Sequence, residues 1–156
     1  MREISFDEIV SKIESLCLSA NVNLADGIVD CYQKALKTEE SDMAKSIISD
    51  CIENHKIASE EKVPLCQDTG LAVFFIKVGD EIRIKDGLLS DAVTKGVSLG
   101  YTRGYLRASC LDDPLYDRKN TRDNTPPIIH TEIVSGDKLE ITFIPKGGGA
   151  ENMSAL

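Results

Sequence analysis

The 156-residue sequence has no tryptophan, few aromatic residues, and no apolar run of about 18 residues that would span a membrane. It also lacks the basic segment followed by an apolar one that marks a signal peptide, so we expect a cytoplasmic protein. Basic residues are outnumbered by acidic ones, and the net charge is −8. Nucleic acids and anionic membranes both require a basic face, so neither is an expected partner.

Cysteine occurs five times, but without the close pairs or Cys-x-x-Cys spacing of a disulfide framework or a zinc ribbon. Cys17, Cys31 and Cys51 fall in predicted helices, where we expect small apolar residues in or near the core. Cys66 differs, because it follows a proline in the polar stretch PLCQDTG and directly precedes an apolar run. That position suits a metal ligand, a nucleophile or a plain thiol.

The apolar periodicity predicts an α+β fold in which N-terminal helices pack on a small mixed or antiparallel sheet. Three helices are expected in about the first 60 residues, and Ser5 with Glu8 forms a capping box for the first. The run LAVFFIKVGD is apolar on both faces, which predicts a central strand. A fourth helix follows, with glycines that weaken it or allow close packing. The segment IIHTEIVSGDKLEITFIPK alternates around Ser-Gly-Asp and predicts a β-hairpin.

A polar, proline-punctuated segment over residues 108–127 separates the fourth helix from the predicted hairpin. Loops of this length inside a compact domain are usually functional. Its asparagine and threonine side chains can bond nearby backbone and stiffen the loop: Asn120, Thr121, Asn124 and Thr125.

Three further features have both a chemical and a plain structural interpretation. Asp68 can act as an acid or base beside Cys66, and its plain structural interpretation is an Asx-turn or a cap. Arg107 is suited to bind a carboxylate through two parallel hydrogen bonds, unless it is a solvated surface residue. Gly147–Gly149 can direct backbone N–H groups at an anion or form a flexible turn. The triplet lacks the Lys-Ser/Thr of a Walker loop and the spacing of a dinucleotide fingerprint.

Two other classes of function stay open at the level of the residues. A cysteine hydrolase would pair Cys66 with His55 or His130, although no sequence spacing joins them and both histidines suit structural roles. A non-catalytic interaction domain that keeps the fold is the second alternative.

Three stretches occur in one order and together carry a resemblance: VPLCQDTGLAVFFIKVG, LRASCLDDPLYDRKNTRDNTPPIIH and GDKLEITFIPKGGGAEN. The set closely resembles the alpha chain of the class I, iron–sulfur fumarate hydratases and its relative, the alpha chain of L-tartrate dehydratase. The resemblance implies a hydro-lyase that hydrates fumarate reversibly to malate. It also implies a 4Fe–4S cluster held by three cysteines, whose open iron is a Lewis acid for the substrate.

The resemblance also assigns roles to residues of this sequence. Cys66 matches the first cluster ligand. Gln67 and Asp68 match residues that contact substrate, and Asp68 is a candidate for proton transfer. Arg107 matches an arginine that binds a substrate carboxylate. The glycine triplet matches a segment whose backbone contacts substrate: Gly147, Gly148 and Gly149.

The remaining two cluster cysteines of the family lie beyond the glycine motif, and Cys110 matches neither. We therefore expect residues 1–156 to be a single domain that forms the N-terminal part of an alpha chain and is inactive alone. A beta chain or C-terminal domain of the same oligomeric enzyme would complete the site for a small dicarboxylate.

Overall fold

The computed structural model describes residues 1–149 and Asn152. The chain divides into two compact units, one of Met1–Leu18 with Asp68–Leu156 and the other of Ser19–Gln67. Helices and short sheets are both present, which confirms the α+β fold class. The single domain expected from the sequence stays a prediction.

Four helices occur within the described residues: α1 (Phe6–Val22), α2 (Ile28–Thr38), α3 (Asp42–Glu61) and α4 (Leu89–Arg103). They confirm the four helices predicted from apolar periodicity. Ser5 caps α1, because its Oγ accepts the Glu8 N–H at 3.2 Å. Ser41 caps α3 in the same way, and α3 ends at Lys62 in a left-handed conformation with φ of 57°. None of these described helices is long and apolar enough to cross a membrane.

Five strands occur in the same residues: β1 (Arg2–Ser5), β2 (Leu71–Gly79), β3 (Ile82–Lys85), β4 (Ile128–Val134) and β5 (Leu139–Lys146). The order β4-β2-β5 makes a mixed sheet, in which β2 is parallel to β4 and antiparallel to β5. The apolar run is therefore a central strand, as predicted. β1 and β3 form a separate parallel pair. The sequence prediction missed this pair because each strand has only four residues.

The predicted β-hairpin is wrong, since β4 and β5 do not pair with each other. β2 lies between them, with Phe74 opposite Ile129 on one side and Phe143 on the other. The end of β2 also engages the Ser-Gly-Asp connection, because Asp80 Oδ1 accepts the Gly136 N–H at 2.8 Å. Alternation around a short turn is the same in a hairpin and in two strands that enclose a third, so the pattern could not distinguish them.

The core of the first unit lies between the mixed sheet and helices α1 and α4. Phe74 and Ile76 of β2, Ile13 of α1 and Val97 of α4 are at most 1% exposed. Full burial of such a side chain stabilises a fold by roughly 1.5–3 kcal/mol. A Cβ on Gly96 would lie 2.5 Å from the Ile13 Cβ. The glycines of α4 therefore allow close helix packing, as one of the two interpretations predicted.

The second unit is built on α2 and α3, and α2 has no fully buried residue. Its apolar stripe is half-buried at Val29 and Tyr32, whereas Cys31 lies off that stripe and is exposed. The prediction that Cys31 lies in or near the core is therefore wrong. Cys51 is half-buried, and Cys17, in the first unit, is fully buried, as expected.

Candidate functional site

Asp68 lies in a tight turn immediately before β2, and both of its carboxylate oxygens accept backbone hydrogen bonds. Oδ1 accepts the Gly70 N–H at 3.1 Å, which makes this an Asx-turn. Oδ2 accepts the Gly148 N–H at 3.0 Å. The structural interpretation of Asp68 is therefore correct, but the second bond also brings this carboxylate onto the glycine triplet. Two features singled out separately in the sequence, 80 residues apart, thus meet.

Gly70 is the reason that the triplet can approach Asp68. Its φ is +73°, a left-handed value that side chains disfavour, and a Cβ there would lie 2.6–2.8 Å from the backbone of Lys146. Lys146 is the last residue of β5, and the triplet follows it directly. Close contact between the start of β2 and the end of β5 therefore requires glycine at this position.

Arg107 lies in the segment that leaves α4, and its side chain is exposed. Its backbone is held by Thr69, which is 4% exposed and whose Oγ1 donates to the Arg107 carbonyl at 3.1 Å. The hydroxyl of Tyr101 in turn donates to the Thr69 carbonyl at 3.0 Å. The turn that carries Asp68 and the start of the loop that carries Arg107 are therefore joined by a direct hydrogen bond.

The long loop is ordered by side-chain hydrogen bonds, as its composition predicted. Asn120 Nδ2 donates to the Ala108 carbonyl at 2.9 Å, and Asn120 Oδ1 accepts the Arg122 N–H at 2.7 Å. Thr125 Oγ1 donates to Asp123 at 2.7 Å. Burial raises the pKa of the Asp123 carboxyl, but hydrogen bonds to side chains and backbone outweigh it and lower the pKa overall.

Asn124 is the residue of this loop that sequence reasoning undervalued. Its side chain is fully buried and bonds both Ser109 and Gly70, at 2.8 Å and 3.0 Å. The sequence indicated only a local brace, because the second partner lies 54 residues away and pairing at that range leaves no local pattern.

Cys66 and Gln67 belong to the second unit and end it. Cys66 is exposed, and its Sγ donates to Gln67 Oε1 at 3.3 Å. The preceding residue is anchored on the helices of that unit. Leu65 N–H donates to the Asn21 carbonyl at 2.8 Å, and Asn54 Nδ2 donates to the Leu65 carbonyl at 2.9 Å. An exposed thiol on an anchored segment is suited to act as a ligand.

The iron–sulfur cluster implied by the resemblance needs soft thiolate ligands, and Cys66 is chemically suited to be one of them. Within residues 1–149 and Asn152, no three histidine, cysteine or acidic side chains lie together as a metal site. The described residues can therefore supply one ligand of such a cluster, Cys66, and not a complete set. A thiolate ligand must also lose its proton, which Cys66 now shares with Gln67.

Cys17 and Cys110 are unsuited to such a role. Burial raises the pKa of the Cys17 thiol to about 12, with a further contribution from Glu14. Burial and the charge of Asp123 also raise the pKa of Cys110, whose Sγ donates to the Asn124 carbonyl at 3.4 Å. Both thiols stay protonated at neutral pH, so neither is a ready metal ligand.

The two histidines do not complete a hydrolase site in the described residues. The ring of His130 stacks on Phe75 across β4 and β2, with centroids 4.9 Å apart. His55 Nδ1 is buried without a hydrogen-bond partner there, so this nitrogen has no described acidic or carbonyl partner that would orient the ring as a base. The thiol of Cys66 donates to Gln67 rather than to a histidine.

Comparison with known proteins gives matches along nearly the whole chain. The sequence profile of a family described as "Fumarate hydratase (Fumerase)" matches residues 10–156. A protein named "Putative L(+)-tartrate dehydratase subunit alpha" from Methanocaldococcus jannaschii is 34% identical over 150 residues, covering 92% of this chain and 52% of that protein. "Fumarate hydratase class I, anaerobic" from Escherichia coli is 33% identical over 121 residues, covering 76% of this chain and 22% of that protein.

A third relative, "Fumarate hydratase 1, mitochondrial" from Leishmania major, is 32% identical over 119 residues, which again cover 76% of this chain and 22% of that protein. The chain thus spans about half the length of the tartrate dehydratase subunit that it matches and less of the two fumarate hydratases. The family profile includes every position that the three sequence motifs singled out, which confirms the resemblance they carry. The chain belongs to the fumarate hydratase (Fumerase) family.

Proposed function

We propose that this chain is the N-terminal part of the alpha chain of a cytoplasmic hydro-lyase that hydrates fumarate reversibly to malate. The observation that carries the proposal is the hydrogen bond from the Gly148 N–H to Asp68 Oδ2 at 3.0 Å. It joins two motifs to which the resemblance assigns substrate contact. Family membership supports the reaction class. Relatives named as alpha subunits support a beta chain or C-terminal domain as partner in an oligomer.

The same hydrogen bond suggests how substrate and Asp68 are coupled. A substrate carboxylate that accepts the Gly148 N–H takes the donor that Asp68 Oδ2 now uses. Asp68 Oδ1 keeps its bond from Gly70, so the carboxylate stays in place while Oδ2 becomes a free acceptor. Binding of substrate would thus prepare Asp68 to take or give a proton at Oδ2. Gly147 and Gly149 offer adjacent N–H groups for the same anion.

Arg107 would supply the charge that a dicarboxylate needs in a protein of net charge −8. Its guanidinium is exposed, and the Thr69 hydrogen bond fixes its backbone beside the Asp68 turn. A planar guanidinium binds a carboxylate through two parallel N–H bonds, which fixes orientation as well as position. Gln67, which precedes Asp68 in the chain, would add an amide donor to the substrate.

Cys66 would be one of the three cysteine ligands of a 4Fe–4S cluster in this proposal. Its exposure and the anchoring of Leu65 support that role. When bound, the cluster would supply a Lewis-acidic iron for the departing hydroxide. The other two ligands would come from outside the described residues.

The test compares two isosteric changes at aspartates that each accept a glycine N–H. Asp68→Asn removes the proposed proton-transfer group, and Asp80→Asn is the matched control at the Gly136 turn. Both are introduced into the full enzyme, purified without oxygen and supplied with fumarate, and malate is followed by NMR. We expect Asp68→Asn to lower kcat by about 10²–10⁴ and Asp80→Asn to leave it within about threefold. Equal activity of the two variants would remove Asp68 from the mechanism.

L-tartrate is the second candidate substrate, because relatives named as tartrate dehydratase alpha subunits align with 92% and 96% of this chain. Coverage alone does not separate the two substrates, since a protein named "Putative fumarate hydratase class I" from Geobacillus stearothermophilus aligns with 94% of it. Tartrate offered in the same assay decides between them. Loss of water from tartrate without hydration of fumarate would keep the roles of the residues and change the substrate. Inactivity on both would favour a non-catalytic interaction domain.

A further inference from the structure

Asn124 is a fully buried polar residue that lies outside the roles assigned so far. Its relative exposure is 0%, and its φ is +62°, in the left-handed region that asparagine tolerates better than most side chains. Its Oδ1 accepts the Ser109 N–H at 2.8 Å, and its Nδ2 donates to the Gly70 carbonyl at 3.0 Å. Both ends of the amide are therefore engaged, each with a different segment of the chain.

The two segments that Asn124 joins are those that carry the proposed substrate groups. Gly70 closes the Asx-turn of Asp68, since its N–H donates to Oδ1 of that residue. Ser109 lies two residues after Arg107. One buried amide thus links the backbone beside the proposed proton-transfer group to the backbone beside the proposed carboxylate-binding arginine.

The Gly70 carbonyl is a shared acceptor, which makes the link rigid. It accepts from Asn124 Nδ2 and also from the Tyr101 hydroxyl at 3.2 Å. Tyr101 is 1% exposed, so both donors act in a region without solvent. A buried hydrogen-bond network restricts the geometry of its members, because water cannot replace a partner that moves away. The polar group left without a partner would then stay unsatisfied, which is costly. The Asp68 turn is therefore held both by Tyr101 of α4 and by Asn124 of the long loop.

The side chain of Asn124 makes directed polar bonds, in contrast to the apolar side chains that pack around Phe74 in the core. Asparagine buried in a left-handed conformation carries a conformational cost, which persists only when its surroundings hold it. Such features collect at functional sites, and here the buried bonds end on the two segments of interest.

We propose that Asn124 is a positioning residue, which holds the turn of Asp68 and the segment of Arg107 at the separation that one dicarboxylate requires. This proposal rests on the proposed function. It assigns Asn124 no contact with substrate. Its role is to fix two groups that would act on the same molecule, and misplacement by about 1 Å can cost about 10²-fold in rate.

The test uses an isosteric change with a matched control in the same loop. Asn124→Asp keeps the acceptor for the Ser109 N–H but has no N–H to donate to the Gly70 carbonyl. Asn120→Asp makes the same change at a residue with the same kinds of bond, which within residues 1–149 and Asn152 run from its side chain to Ala108 and Arg122. In the full enzyme we expect Asn124→Asp to lower kcat by about 10- to 100-fold with KM within about threefold, and Asn120→Asp to change neither.

A second readout does not depend on activity. In the 156-residue chain, the amide resonances of Gly148 and Gly70 report their hydrogen bonds to Asp68. We expect Asn124→Asp to lower the melting temperature but keep the fold, to shift both resonances and to speed their hydrogen exchange, whereas Asn120→Asp leaves both unchanged. If Asn124→Asp fails to fold, Asn124→Gly replaces it, because glycine adopts the φ of +62° without strain and removes both bonds of the amide without adding a charge.

The outcomes separate this proposal from the proposed function. If the wild type is active and Asn124→Asp has the same kcat and KM as Asn120→Asp, the positioning role is wrong and the proposed function is unaffected. If the wild type acts on neither fumarate nor tartrate, the proposed function is wrong. The amide resonances then test the link between Asn124 and the Asp68 turn by itself. Shifts of Gly148 and Gly70 in the Asn124 variant would still support a link across the turn, and unchanged resonances would overturn it.

Discussion

Replacement of Gly70 by alanine tests the contact that brings the Asp68 turn to the glycine triplet. The new Cβ would lie 2.6–2.8 Å from backbone atoms of Lys146, and backbone cannot move aside as a flexible side chain can. The φ of +73° adds a conformational cost for any residue with a Cβ. Gly70→Ala should therefore destabilise the first unit and separate the start of β2 from the end of β5.

The magnitude follows from these two terms. A left-handed alanine costs about 1–2 kcal/mol, and steric overpacking against a rigid neighbour adds about 1–3 kcal/mol. The free energy of unfolding should fall by about 2–5 kcal/mol, which corresponds to an increase of about 30-fold or more in the population of open molecules. Gly27→Ala is the matched control, because its φ of +82° is similar but a Cβ at that position would have no atom within 4 Å. Only the conformational term applies there.

Amide hydrogen exchange measures the local loss of stability at Gly70 and at Gly27 separately. The amides of β2 report Gly70→Ala, and those of α2 report Gly27→Ala. Gly70→Ala should speed hydrogen exchange in β2 more than Gly27→Ala speeds it in α2. The difference should correspond to the steric cost, which applies only at Gly70. Equal penalties for the two alanines would show that the close approach of Lys146 to Gly70 is wrong, and with it the geometry of the Asp68–Gly148 contact.

Three further predictions concern packing, thiol reactivity and pH. Gly96→Ala should lower the free energy of unfolding by about 1–3 kcal/mol in a urea titration, since its Cβ would meet Ile13 at 2.5 Å; an unchanged midpoint would contradict the packing of α4 on α1. Burial raises the pKa of Cys17 to about 12, so iodoacetamide at pH 8 should label the exposed cysteines first, and early labelling of Cys17 by mass spectrometry would refute its burial. Hydrogen bonds from the backbone, that of Leu115 first, lower the pKa of Asp113 from 3.8, so its stabilisation of the loop is present above pH 3.8 and is lost as the pH falls through the lower folded value. An NMR titration of that carboxyl should therefore give a midpoint below 3.8, and a midpoint at or above it would contradict the turn.

Local patterns predicted most elements of this fold but not how the strands pair. The helices follow from apolar spacing and from caps such as Ser5, both of which depend on residues a few positions apart. The place of β2 at the centre follows from its two apolar faces. The pairing of β2 with both β4 and β5 depends on contacts across more than 50 residues, and no local pattern distinguishes it from a hairpin.

The candidate site shows the same division. Cys66, Asp68 and Arg107 attract attention in the sequence because their types and surroundings are unusual. The partner of the Asp68 carboxylate, Gly148, could not be predicted from either residue alone, since it depends on how β5 runs beside β2. Asn124 was equally hidden, because its buried bond to the start of β2 resembles, in sequence, an ordinary loop brace.

The most direct test of the central claim is fumarate hydration by the full enzyme, measured together with its iron content. The wild type, Cys66→Ser and Cys31→Ser are purified without oxygen, and Cys31 is the control because it is also exposed. We expect the wild type and Cys31→Ser to form malate and contain iron, whereas Cys66→Ser should lose both. Retention of iron and activity in Cys66→Ser would contradict the assignment of Cys66 as a cluster ligand.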